Sequence, residues 1–172
     1  PIPRTLHMSM MGLRDISSLQ TAPVDRRAVV TEVMPWNEHR LRAALQRELA
    51  REGQVFVVHN RVRDLDDIAD AIHRLVPDAK IVTGHGQMSP KELERTMLAF
   101  MRHEVDILVA TTIIESGIDI PNANTIIIND ADRFGLADLH QLRGRVGRSR
   151  HRAYCYLLLP TTRNVRPEAK RR

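Results

Sequence analysis

Three arginines and two glycines crowded into ten residues carry the clearest chemistry in this chain. From Leu139 to Arg148 the sequence runs Leu-His-Gln-Leu-Arg-Gly-Arg-Val-Gly-Arg, which sets Arg143, Arg145 and Arg148 around Gly144 and Gly147, with Gln141 three residues ahead of Gly144. Arginine holds a permanent charge on a planar fork that matches phosphate oxygens, and glycine lets a backbone come close to a ligand or a neighbouring element. The segment has the makings of a polyphosphate clamp. A run of arginines is often only a solvated helix face. Two glycines, however, cost a helix about 1 kcal/mol each relative to alanine, so a purely structural helix gains nothing from them.

The clamp lacks a cradle. A complete nucleotide hydrolase of the P-loop type needs Gly-x-x-x-x-Gly-Lys-Ser/Thr, and no lysine here follows a glycine. Nor is there a strand-end Asp-Glu pair with an evident metal role. An arginine that acts on a nucleotide held by another lobe reconciles the two observations, because such a finger stabilises transition-state charge by about 10³- to 10⁵-fold in rate. Other constellations fail on spacing. The eight histidines include no His-x-x-x-His pair with an intervening Glu, and His59, His85 and His140 lie in separate segments, so no metal site is expected. Asp64, Asp66 and Asp67 crowd the first turn of a helix and favour its dipole. Gly84-His85-Gly86 stands open between a plain turn and one where a phosphate backbone meets main-chain N–H groups.

At 172 residues the chain suits one well-buried domain and is too short for two of ordinary size. A net charge of +5 and a pI near 10.1 favour an anionic partner such as nucleic acid. All but Lys80, Lys91 and Lys170 of the 26 basic residues are arginine, which phosphate contacts and a GC-rich coding bias explain equally well. Aromatic residues are only 3%, too few for extensive base stacking, so backbone phosphates are the expected target. The single Cys155 lies in the apolar run Tyr154 to Leu159 and reads as a core residue. One cysteine forms no internal disulfide, and neither a membrane span nor a leader peptide is evident, so a cytoplasmic location is expected. The sequence opens on Pro1-Ile2-Pro3 without methionine, and a longer parent chain is expected.

The elements that must position these residues follow from periodicity. Residues 1–27, punctuated by Pro1, Pro3, Gly12 and Pro23, read as a linker. Residues 28–34 form a strand ending at Pro35. Asn37 caps a helix to about Glu52 with Leu41, Ala44, Leu45 and Leu49 on its apolar face. Gln54 to Val58 is a continuous apolar strand. Asp64 to Leu75 is a second amphipathic helix, and Lys80 to Val82 a short strand before a turn at Thr83 to Gly86. Ser89-Pro90-Lys91-Glu92 is a capping box that opens a third helix to about His103. Strands at 106–111, 124–128 and 153–159 follow, with a short arginine-rich helix before the last. Residues 161–172 are polar and basic and begin another element. Strands apolar throughout, separated by amphipathic helices, predict a three-layer α/β domain whose mostly parallel sheet is covered on both faces. Ligands of such sheets gather beyond the strand carboxyl ends, where Asn60-Arg61, Gly84-His85-Gly86 and Thr111 to Asp119 fall. The sequence does not say on which rim the arginines lie.

Gln141-Leu142-Arg143-Gly144-Arg145-Val146-Gly147-Arg148 resembles the last signature, Gln-x-x-Gly-Arg-x-Gly-Arg, of the second RecA-like lobe of superfamily 2 helicases and translocases, a P-loop-type fold without its own Walker A. Pro1 to Thr5, Gln54 to Asn60, Gly84 to Met88 and Thr111 to Pro121 resemble its earlier signatures in order. Phe134-Gly135-Leu136 is similar to the branch that contains the RecG-type branched-DNA helicases and the bacterial transcription-repair coupling factors. Leu6 to Ser17, Ile114 to Asp119 and Asn124 to Ile128 resemble the coupling-factor side.

The resemblance implies ATP with Mg2+, both held mainly by a first lobe, with Arg145 and Arg148 facing the γ-phosphate and Gln141 aligning them. It places Gly117, Asp119 and Gly144 beside the nucleotide. Asn60, Arg61, His85, Thr111 and Thr112 would touch the DNA backbone, and Pro3 and Arg4 would couple the two events. Residues 166–172 resemble the first turn of a translocation hairpin. The implied activity is ATP-driven movement on double-stranded DNA that displaces stalled RNA polymerase and recruits excision-repair proteins, in a nucleoid-associated bacterial protein, with this lobe alone inactive. The alternatives are a RecG-type helicase lobe and a catalytically inert nucleic-acid-binding module.

Overall fold

A computed structural model describes residues 28–111 and 123–160. Six strands form one sheet: β1 (Val30–Pro35), β2 (Gln54–Val58), β3 (Ile81–Gly84), β4 (Ile107–Ala110), β5 (Ala123–Ile128) and β6 (Tyr154–Leu159). Four α-helices accompany them: α1 (Glu38–Ala50), α2 (Leu65–Leu75), α3 (Pro90–Met101) and α4 (Leu136–Arg143). The sheet order is β1-β6-β5-β2-β4-β3, and every pairing is parallel. All six strands therefore point the same way, giving one rim of carboxyl ends and one of amino ends.

The layers follow from strand alternation. In β2, Val55 and Val57 join the cluster that contains Leu41 and Leu45 of α1 and Leu65, Ile68 and Ile72 of α2. Phe56 and Val58, one residue out of phase, join Phe100 of α3 and Leu142 of α4 in a second cluster. Because side chains of a strand point alternately to opposite faces, α1 and α2 cover one face and α3 and α4 the other. Phe56 and Phe100 meet edge to face, with centroids 5.0 Å apart. The expected three-layer α/β sandwich is the fold observed.

Local signals explain the helix starts. Asn37 accepts from Arg40 N at 3.0 Å, and Ser89 with Glu92 forms a reciprocal capping box with Pro90 inside the first turn. Two sequence expectations differ from the structure. Thr83 and Gly84 belong to β3 and not to the following turn, because both pair with β4. The arginine-rich helix ends at Arg143, so Arg145 and Arg148 lie beyond it. In α1 the expected apolar face is observed, with Leu41, Ala44 and Leu45 buried and Leu49 packed half-buried against the same cluster, and Glu48 is fully buried beside them. Glu48 can sit there because Arg51 and the Thr125 hydroxyl satisfy its carboxylate. The linker at 1–27 and the hairpin start at 161–172 lie outside the described residues.

Candidate functional site

The carboxyl rim gathers the residues that follow three adjacent strands. His59, Asn60 and Arg61 follow β2, His85 follows β3, and Thr111 follows β4. His59 is 3% exposed and held on both ring nitrogens, with Nδ1 3.3 Å from the Asn129 amide nitrogen and Nε2 3.4 Å from Asp64 Oδ2. With Nδ1 accepting from Asn129, Nε2 carries the proton toward Asp64. Partial burial pushes the Asp64 carboxyl up, but the His59 hydrogen bond and the charges of Arg63 and Arg61 outweigh it and hold it below its ordinary value. These contacts fix the turn that presents Asn60 and Arg61. Sequence reading missed Asn129 and the tethering role of Asp64, and nothing local marks a bond made 70 positions away.

On this rim Asn60 Oδ1, His85 Nδ1 and Thr111 Oγ1 are each buried without a hydrogen-bond partner among the described residues. A buried polar atom left unpaired costs about 1–3 kcal/mol, so three on one rim call for a ligand or ordered water to satisfy them. A hydroxyl and an imidazole N–H can donate to a phosphate oxygen, whereas Asn60 Oδ1 only accepts and takes a donor such as water. Arg61 is half-buried, with Nη1 4.0 Å from Asp64 Oδ2. Thr112 lies outside the described residues.

The arginine segment lies on the opposite rim. Ser149 Oγ donates to Asn124 Oδ1 at 2.7 Å, near the amino end of β5. Val30 N donates to Ala153 O at 2.9 Å, where β1 and β6 begin. Gly147 has φ +85, and a Cβ there would meet Val29 Cγ2 at 3.2 Å and Ala153 Cβ at 3.3 Å. That left-handed conformation favours glycine, and any Cβ there would also press Val29 and Ala153 aside by a few tenths of an ångström. Val146 is 1% exposed, Arg145 half-buried and Arg148 exposed, so the turn plants its apolar residue and leaves Arg148 at the surface. Gln141 is exposed on the last turns of α4, and Gly144 ends that helix. Gly117, Asp119, Pro3 and Arg4 lie outside the described residues.

A strand of six residues at about 3.3 Å each puts roughly 15–20 Å between the rims. No single small ligand reaches both, so the structure carries two surfaces. Arg143 belongs to neither. It lines a cavity of about 330 Å³ with Cys155, Asp132, Leu136, Leu139 and Val33, on the face of the sheet beside α4. Burial pushes the Cys155 thiol up to about 11, against the opposing pull of Arg143. Among the described residues no group of three or more His, Cys, Asp or Glu side chains is placed to hold a metal ion. No helix among them is long and apolar enough to cross a membrane.

Residues 36–150 match the helicase conserved C-terminal domain. The whole chain is 53% identical over 172 residues to the transcription-repair-coupling factor of Staphylococcus epidermidis, covering 15% of that protein. It is 56% identical to that of Myxococcus xanthus, covering 14% of it. The chain thus spans only about a seventh of the length of these curated relatives. Among solved structures, RecG bound to a three-way DNA junction aligns with TM-score 0.75 and 37% identity, covering 99% of this chain and 23% of RecG. Domain 2 of the DEAD-box helicase Mss116p, bound to an RNA duplex, aligns with TM-score 0.63 over 77% of this chain and 55% of that chain. At 18% identity this second likeness is one of fold alone. Matched over most of its length and built on the same parallel sheet as RecA-like helicase lobes, the chain belongs to the helicase conserved C-terminal domain family.

Proposed function

We propose that the chain is the C-terminal motor lobe of an ATP-dependent translocase on double-stranded DNA, of the kind that displaces stalled RNA polymerase and couples transcription to excision repair. The observation that carries this reading is the pair of surfaces on opposite rims of one rigid sheet. The unpartnered Thr111 hydroxyl and His85 Nδ1 can donate to a phosphate backbone on the carboxyl rim, beside Asn60. On the amino rim a glycine-pinned turn presents Arg145 and Arg148. Guanidinium groups on such a turn fit the outer phosphates of a nucleotide but do not enclose it. ATP with Mg2+, whose β–γ phosphoanhydride bond is the one broken, would then be held mainly by a first lobe. Arg145 and Arg148 stabilise the charge that develops on its γ-phosphate, and Gln141 helps to align them. Gly117, Asp119 and Gly144 lie near the same nucleotide, Thr112 joins the DNA contacts, and Pro3 and Arg4 link the lobes.

Arg148→Ala in the intact translocase is expected to abolish ATP turnover while nucleotide binding, followed with a fluorescent analogue, persists. Normal turnover in that variant refutes the finger assignment. The lobe of a RecG-type branched-DNA helicase is the second reading, favoured by the 37% identity to RecG. The two part on one assay: the first displaces a stalled polymerase from DNA, the second migrates DNA junctions.

A further inference from the structure

Residues 144–153, which carry Arg145 and Arg148, form neither helix nor strand. A segment without ladder hydrogen bonds depends on its anchors to fix the course of its backbone. Besides the burial of Val146, the seat of Gly147 and the bond of Val30 N to Ala153 O, side-chain bonds tie it to β5 directly through Asn124 and indirectly through Glu48 and Thr125.

The first is Ser149, next in sequence to Arg148. Its hydroxyl donates to Asn124 Oδ1 at 2.7 Å and accepts from His151 N at 3.2 Å, and Asn124 is 2% exposed. The second lies at the end of the same segment, where Arg51 Nη2 donates to Arg152 O at 2.8 Å. Arg51 is itself held by Glu48, which also accepts from the hydroxyl of Thr125, the residue after Asn124. Consecutive residues at the start of a central strand therefore hold the segment, Asn124 directly and Thr125 through Glu48. Alternation along a strand makes this possible.

We propose that Ser149 is a positioning residue that sets the direction of Arg148 by its bond to Asn124, with the Glu48–Arg51 pair holding the far end of the segment. This rests on the arginine-finger reading above. A charge that acts only on the transition state is sensitive to placement, and a misplacement of about 1 Å can cost on the order of 10²-fold in rate. Ser149 does not touch the nucleotide, so its loss lowers turnover without weakening ATP binding.

The test is steady-state ATPase kinetics of the intact DNA-stimulated translocase for Ser149→Ala, Ser149→Thr and Arg148→Ala, with melting curves. Ser149→Ala is expected to lower kcat about tenfold or more, with KM for ATP and the melting midpoint unchanged. Ser149→Thr, which keeps the hydroxyl, retains turnover. Should Ser149→Ala fail to fold, Ser149→Gly is expected to show the same loss. Normal kcat in a variant lacking the hydroxyl overturns the proposal. A raised KM at normal kcat, or equal losses in Ser149→Ala and Ser149→Thr, also overturns it. If Arg148→Ala itself turns over normally, the finger reading has failed instead, and the two failures are told apart.

Discussion

Replacing Arg51 by alanine strips a fully buried carboxylate of its cation. Glu48 is 0% exposed and takes Arg51 Nε at 3.1 Å, Arg51 Nη2 at 2.5 Å and the Thr125 hydroxyl at 2.5 Å. Removing one member of a buried pair costs about 3–5 kcal/mol, because the remaining charge stays desolvated. The Thr125 hydroxyl is a single neutral donor, worth about 1 kcal/mol, and cannot replace the guanidinium. For a domain of this size each kcal/mol moves the melting midpoint by about 2–4 °C, so Arg51→Ala is expected to lower it by about 6–20 °C.

Glu48→Gln is milder, at about 1–2 kcal/mol, since the Arg51 side chain is 21% exposed and reaches water. Gly53→Ala belongs with the severe variant: its new Cβ would sit 1.8 Å from Glu48 Oε1 and must displace the carboxylate. Melting curves of the purified chain read by circular dichroism give the ranking. A cost below about 1 kcal/mol for Arg51→Ala, as for a surface pair, refutes the reasoning, because Glu48 would then be hydrated in the fold.

Two further outcomes are open to simple measurement. Thr111→Val with Asn60→Ala removes two unpartnered polar groups, so the fold is expected to lose no stability while affinity for duplex DNA falls alike for all sequences. Neither group carries a charge, so the slope of log affinity against log salt is expected to stay as it was; unchanged affinity in equilibrium binding counts against the carboxyl-rim assignment. Cys155 should resist a disulfide reagent at pH 8 until the chain unfolds. Since folding raises its pKa from 9.0 to about 11, its contribution to stability is present below about pH 9 and lost as the pH rises toward 11. Prompt labelling of the folded chain at pH 8 contradicts this.

The sequence by itself determined the layer order and most element boundaries. Val55 to Val58 and Ile107 to Ala110 are apolar at every position because both faces of these strands are covered, and such a run has few other uses in a parallel sheet. The capping box at Ser89 is a bond between residues three apart, so it is legible locally. Gln-x-x-Gly-Arg-x-Gly-Arg likewise marks residues 141–148 as a candidate site in the sequence itself.

Tertiary structure alone decided which rim each surface occupies. Strand order and direction place Asn60, His85 and Thr111 together, although 51 positions separate the first from the last. The same order puts Arg145 and Arg148 at the other end of the sheet. The anchors were hidden for the same reason, since Ser149 meets Asn124 across 25 positions and Arg51 meets Arg152 across 101. Glu48 offered one legible hint, a carboxylate on the apolar stripe three residues before an arginine. Its burial, however, depended on β5 bringing up Thr125, a contact across 77 positions that no local pattern encodes.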